Sequence, residues 1–343
     1  MTWSGGWPVG AATGVGSMPG TDVREAVRMV LGELPDLPHL PELPARGPGA
    51  ELTGRAVALL TDLPAEWGPF GWRLAGRPGH DLRLARSLLA EDLDAVQEAT
   101  DGYAGPLKLQ VCGPWTLAAT VELGNGEKAL ADVGARRDLA VSLAEGIGGH
   151  VADLLRRVPG ASVVVQLDEP SLSAVQSGGV PTASGFATLR SVREQELREH
   201  LRLVVDAVVA SGAEPVVHCC AAQPPVELLV AAGARGLSLD ATLLTPADDD
   251  AIGTALESGV HLLLGTVPAL GAGADTGAGS DDARPARTLG RRLGVPPEQL
   301  AARVTVTPTC GLAGASPAYA LAALGRARTA ARRLVDDPEG ERG

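Results

Sequence analysis

Lysine is almost missing from this chain: Lys108 and Lys128 are the only two among 343 residues, and the formal net charge is −12. Nucleic acids are held through their phosphates by clustered Lys and Arg, so this balance argues against a nucleic-acid partner. Cysteine is nearly as scarce, with four residues, two of them adjacent at Cys219 and Cys220. That is a poor disulfide framework, and the opening Met1-Thr2-Trp3-Ser4-Gly5-Gly6 has no basic stretch followed by an apolar run. The expectation is a cytoplasmic protein in a reducing compartment. Aromatic residues make up only 3% of the chain. No segment approaches the roughly eighteen uninterrupted apolar residues of a membrane span, so no membrane association is expected.

What is present is 45% hydrophobic residues, in short apolar runs bounded by Gly and Pro that alternate with long amphipathic helical patterns. This alternation marks βα units and a parallel sheet. Candidate strands fall at 12–17, 37–40, 107–111, 162–167, 214–217, 236–240, 261–265 and 303–307. Helical patterns cover 23–34, 51–60, 81–100, 130–157 and 194–211. The expected fold is α/β, a single (β/α)8 TIM-type barrel over 1–336. A long insertion at 45–105, between the second and third strands, would serve as lid or wall, and 337–343 would be a disordered tail. Ser17, Glu42, Asp168, Glu169, His218, Cys220, Asp240 and Cys310 all lie at or just past the C-terminal ends of these strands. That is the end at which barrel active sites are built.

The chemistry concentrates in Pro215-Val216-Val217-His218-Cys219-Cys220. Strand side chains alternate faces, so His218 and Cys220 leave on one side and Cys219 on the other. Cys310 closes a second strand-end stretch about ninety residues on. If both strands belong to one barrel the three side chains converge, and a Cys2His set suits zinc with one coordination position open. Read singly, these are ordinary buried residues, since free cysteine is common in cores.

Several stretches together resemble the C-terminal catalytic barrel of the cobalamin-independent methionine synthases. They are Gly16-Ser17-Met18-Pro19, Cys112-Gly113-Pro114-Trp115-Thr116, Leu167-Asp168-Glu169-Pro170, His218-Cys219-Cys220 and Pro308-Thr309-Cys310-Gly311-Leu312. They span nearly the whole chain in the family's order. The resemblance implies zinc held by His218, Cys220 and Cys310, with Asp240 in the place of a family glutamate. It also implies homocysteine contacts from Ser17 and Asp168, which would be the catalytic residues, and an amine contact from Glu42. Glu169 and Trp115 join them as expected substrate contacts. Asp168 would pair with the substrate ammonium; the plainer alternative for Asp168 and Glu169 is a capped turn before Pro170, and for Asp240 a solvated position at the barrel mouth.

Three departures from the family bear on the methyl donor. The family's N-terminal half, which helps bind polyglutamylated folate, is expected to have no counterpart, since these 343 residues leave no room for it. Trp115 follows Pro114 directly, and Gly265-Thr266-Val267-Pro268-Ala269-Leu270 lacks the family's histidine after the seventh strand. The stretch from Thr266 to Arg284, rich in Gly and Ala with Asp275, Asp281 and Asp282, reads as a mobile rim and not as an anion clamp. The expected activity is zinc-dependent methylation of homocysteine to methionine. The donor is a folate or a methylated corrinoid, free or protein-bound, with the corrinoid favoured. The alternatives are a corrinoid-protein methyltransferase acting on another thiol and a zinc-binding barrel without turnover.

Overall fold

Runs such as Val163-Val164-Val165 and Leu262-Leu263-Leu264 are apolar on both faces, as parallel strands covered on both sides must be. In the computed structural model, which describes residues 6–271 and 280–340, these runs form the centre of the molecule. In chain order the elements are α1 (Val23–Glu33), α2 (Leu52–Leu59), β1 (Ala65–Gly68), β2 (Gly71–Leu74), α3 (His80–Ala99), β3 (Ala104–Cys112), α4 (Pro114–Thr120), α5 (Val133–Arg157), β4 (Gly160–Asp168) and α6 (Leu172–Ser177). There follow α7 (Glu194–Ala210), β5 (Glu214–Cys219), α8 (Val226–Ala231), β6 (Gly236–Asp240), α9 (Asp249–Glu257), β7 (His261–Val267), α10 (Arg284–Leu293), α11 (Pro297–Arg303), β8 (Val304–Pro308) and α12 (Pro317–Asp336).

Strands β3 to β8 make one parallel six-stranded sheet in sequence order, curled as a half-barrel, while β1 and β2 form a separate antiparallel hairpin. The first two expected strands do not form as regular strands. Their stretches make single parallel bridges, Ala12 with Val306, Ser17 with Glu42, and His39 with Lys108. Backbone bonds run from Thr13 to Val306 (3.0 Å), from Glu42 to Gly16 (3.1 Å) and from Leu40 to Lys108 (2.8 Å), so both segments lie between the two edges of the sheet.

The physical reason is in the sequence. Pro38 and Pro41 have no N–H to give a ladder. Gly14 and Gly16 leave space that other side chains use. A Cβ on Gly14 would overlap the His39 ring, and one on Gly16 would lie 2.8 Å from the Gln110 amide. Regular pairing is given up where polar side chains enter the interior.

Two apolar regions hold the molecule together. The larger lies between the outer face of the sheet and the surrounding helices. The smaller, Ala11, Leu37, Val164, Val216 and Leu263, fills the interior near the N-terminal ends of the strands, and Trp7 packs against it. Trp7 also stacks on His261 with ring centroids 4.2 Å apart, flooring the interior with an aromatic pair. Above this floor the interior turns polar.

The segment expected as an insertion folds as α2, the β1–β2 hairpin and α3. Asp92 of α3 is buried and pairs with both Arg46 and Arg55, which fastens α3 to the residues just before and within α2. At the other end of the chain, Arg287 donates to the Asp337 carbonyl at 2.8 Å, so the described part of the expected tail is tied to α10. Residues 341–343 lie outside the described residues, as does Asp275 in the stretch expected to form a rim. Among the described residues no helix is long and apolar enough to cross a membrane.

Candidate metal centre

His218 sits one residue before the end of β5, opposite Asp168 on β4 and Ser238 on β6. Its Nδ1 lies 2.9 Å from the Ser238 hydroxyl. That contact orients the ring and leaves Nε2 for another partner, the usual way a metal-binding imidazole is fixed from behind. Cys219 points outward into the core with its sulfur 4.0 Å from the Ser173 hydroxyl, as the alternation of strand side chains requires. Cys220 turns inward.

Cys310 arrives from the other side, two residues past β8. The β7–β8 register shifts between Gly265 and Val267, and Thr309 N–H donates to the Val267 carbonyl at 2.8 Å, so the Cys310 loop stays tied to β7. The Cys310 and Cys220 sulfurs are 3.6 Å apart. With one atom from each, His218, Cys220 and Cys310 offer three ligands that all lie within 4.8 Å of one another. The contact with Cys220, followed by that with His218, holds the Cys310 thiol down to about 4, while the same sulfur contact pushes Cys220 up. Two sulfurs at this spacing favour one thiol paired with one thiolate, and a soft divalent cation held by them would stabilise both as thiolates. The donor set therefore fits zinc.

The cluster opens into a cavity of about 310 Å³ whose other walls include Ser17, Glu42, Glu51, Leu52, Asp168 and Gly311. Gly311 lets the two segments approach closely, since a Cβ there would overlap the Ser17 hydroxyl as it stands. Leu312 N–H donates to the Ser17 carbonyl at 2.7 Å, which joins the cysteine loop to the strand-like segment bearing Ser17. Asp168 and Glu42 are both buried. Burial pushes Glu42 up to about 7, with Arg55 opposing, and it raises Asp168 against the pull of His218 and Lys108. The Glu42 Oε1 has no hydrogen-bond partner and faces Arg55 Nε at 3.4 Å. Two buried carboxylates on one side and a thiolate–imidazole cluster on another make a pocket suited to a small molecule with an ammonium group and a sulfur.

Three expected site residues are placed elsewhere. Asp240 is not in the ligand group. Its Oδ1 accepts from the Thr242 N–H at 2.9 Å and the Thr242 hydroxyl at 2.6 Å, a side-chain turn that holds the carboxylate at the end of β6. Glu169, next to Asp168, leaves on the opposite face and is consumed by the N-terminus of α4. It accepts from Trp115 N–H (2.9 Å), Thr116 N–H (2.7 Å) and the Thr116 hydroxyl (2.8 Å). Trp115 does not line the cavity: its indole donates to the Leu197 carbonyl at 2.9 Å and stacks on His200. Glu169→Ala should accordingly cost about 3 kcal/mol of stability, because it orphans three buried donors, while metal content per folded chain stays at the wild-type value. Denaturant unfolding with metal analysis checks this, and a stable variant that has lost its metal would return Glu169 to the site.

Four residues that support the cluster and the cavity from behind went unread in the sequence: Ser238, Lys108, Gln110 and Gln166. The signal was there in the period of two. Leu107-Lys108-Leu109-Gln110-Val111 alternates, and Gln166 and Ser238 each stand two residues before a strand-end aspartate.

No protein-family model and no curated protein matches this sequence. Solved structures do. A B12-independent methionine synthase from Shewanella sp. W3-18-1, determined in complex with selenomethionine, is 13% identical and superposes with a TM-score of 0.60 over 96% of this chain and 98% of that one. A methylaspartate ammonia lyase from Clostridium tetanomorphum is 14% identical over 97% of this chain and 61% of its own, with a TM-score of 0.46. At such identity the first likeness establishes a shared fold.

Proposed function

We propose that this protein is a zinc-dependent methyltransferase that converts homocysteine to methionine. The observation that carries the reading is the His218–Cys220–Cys310 cluster opening into the same cavity as Asp168 and Glu42. On this reading the two bridged segments stand for the first two strands of a (β/α)8 barrel spanning 1–336, and part of the 45–105 segment, through Glu51 and Leu52, walls the site. The Shewanella enzyme of this fold was determined with selenomethionine, an analogue of the product expected here.

When bound by His218, Cys220 and Cys310, zinc supplies one thing, a means of keeping the substrate sulfur deprotonated at neutral pH while two thiolates keep it electron-rich. The chain's own residues do the rest. Ser238 holds the His218 ring. Asp168 and Glu42 take the substrate ammonium, and their burial makes that pairing strong. Ser17 borders the cavity beside Gly311, which supports a contact with the amino-acid end of the substrate. Together they aim the sulfur at an incoming methyl carbon, which leaves the reaction dominated by positioning and exclusion of water. The free thiols at Cys220 and Cys310 suit a reducing compartment.

Zinc-loaded protein given homocysteine should form methionine with a methylated corrinoid as donor, and chelation should stop it. Zinc-edge X-ray absorption should show one added sulfur ligand when homocysteine is present. An unchanged metal shell together with no methylation of any thiol in a panel would sink the proposal.

A further inference from the structure

Barrel interiors are ordinarily filled by layers of apolar side chains. Here the layer between the apolar floor and the metal centre is polar, and Lys108 stands at its middle. This lysine is fully buried, an expensive placement unless the charge is completely satisfied. It is satisfied by three oxygens, the Val15 carbonyl at 2.9 Å, Gln110 Oε1 at 2.9 Å and Gln166 Oε1 at 3.0 Å. Three acceptors around one nitrogen match the three donors of an ammonium group.

A lysine can only donate, so it dictates how both glutamine amides lie. With Oε1 turned toward Lys108, each amide must present Nε2 elsewhere. Gln110 donates to the Leu40 carbonyl at 2.6 Å, in the segment that leads to Glu42. Gln166 donates to Asp168 Oδ1 at 2.7 Å and to the Val15 carbonyl at 2.9 Å. Without the ammonium, Gln166 Oε1 loses its donor and the amide is held at Nε2 alone, between Asp168 and the Val15 carbonyl, so it can tilt and carry the carboxylate with it.

We infer that Lys108 is a positioning residue for substrate recognition: acting through Gln166, it fixes the Asp168 carboxylate in the orientation that receives the ammonium group of an amino-acid thiol. This rests on the proposed function. It adds that selectivity for a thiol bearing an amine originates beneath the pocket, in a residue that does not line it. The burial of Lys108 pulls its ammonium down to about 7, while the charges of Asp168 and Glu42 hold it up.

The test compares homocysteine with 4-mercaptobutanoate, the same thiol without its amino group, by calorimetric titration of zinc-loaded protein, which needs no methyl donor. Lys108→Met keeps the length of the side chain and removes the donors. Its Kd for homocysteine should rise at least about tenfold while that for 4-mercaptobutanoate stays within about twofold, and adding Asp168→Asn should cause little further loss. Gln166→Leu breaks the same link one residue on and carries the same expectation should Lys108→Met not fold. Equal weakening toward both thiols would show a merely structural role and overturn the inference, as would an unchanged ratio. A wild-type protein that binds zinc but neither thiol overturns the functional reading as well.

Discussion

Cys310→Ala is expected to abolish the proposed zinc binding and, with it, the proposed methyl transfer. The ligand trio is assembled from two distant stretches, and Cys310 is the only member from the second. Its removal leaves His218 and Cys220, two ligands on one strand end, too few for a site that binds through three protein groups. Zinc affinity should fall by more than about 100-fold, since loss of an outer partner alone typically costs about 10- to 100-fold. The fold should survive, because Cys310 is exposed and the loop around it is held by backbone bonds from Thr309 and Leu312. Cys220→Ala and His218→Ala should behave alike. Ser238→Ala, which only frees the ring, should lower affinity by roughly tenfold. Metal analysis after dialysis against a weak chelator decides the matter, and full zinc occupancy in any two of the three ligand variants would refute the assignment.

Methyl-tetrahydrofolate triglutamate should be a poor methyl donor, at least about 100-fold slower than a methylated corrinoid at matched concentration. Each glutamate carries a carboxylate, and a site for such a chain has to offer cations. None of the residues lining the cavity is Arg or Lys, whereas Glu42, Glu51 and Asp168 are acidic. Several basic groups near this end are already engaged: Arg55 and Arg46 with Asp92, and Lys128 with Glu122 at 3.3 Å. At the rim that follows β7, Arg326 pairs with Asp282 at 2.7 Å and Arg287 with Asp281 at 3.3 Å. A neutral or cationic methyl carrier meets no such repulsion. The measurement is the initial rate of methionine formation with each donor, and faster transfer from the triglutamate would overturn this reading of the pocket.

The residues that could be read locally are those whose geometry is local. A two-residue spacing on a strand puts His218 and Cys220 on one face whatever the rest of the chain does, and β3 to β8 were legible because each is a short apolar run with a turn at either end. The same rule, applied one residue further, separates Asp168 from Glu169: neighbours on a strand cannot share a face, and only the first reaches the cavity. The first two strands were harder, since Gly14, Gly16, Pro38 and Pro41 keep the extended path but remove the ladder.

Hydrogen bonding in the folded chain decided the remainder. Whether a strand-end carboxylate meets a ligand or closes a turn depends on which donors come within about 3 Å of it. For Asp168 that donor is Gln166, itself held by Lys108 from the neighbouring strand. For Asp240 it is Thr242 in the following turn, and for Glu169 the N-terminus of α4, more than fifty residues earlier in the chain. Spacing in the sequence therefore names the residue types and the end of the sheet where they gather. Which acids are left without such donors is read from the folded chain, because a carboxylate's surroundings are set by hydrogen bonds whose donor is two residues away for Asp168 and Asp240 but more than fifty for Glu169.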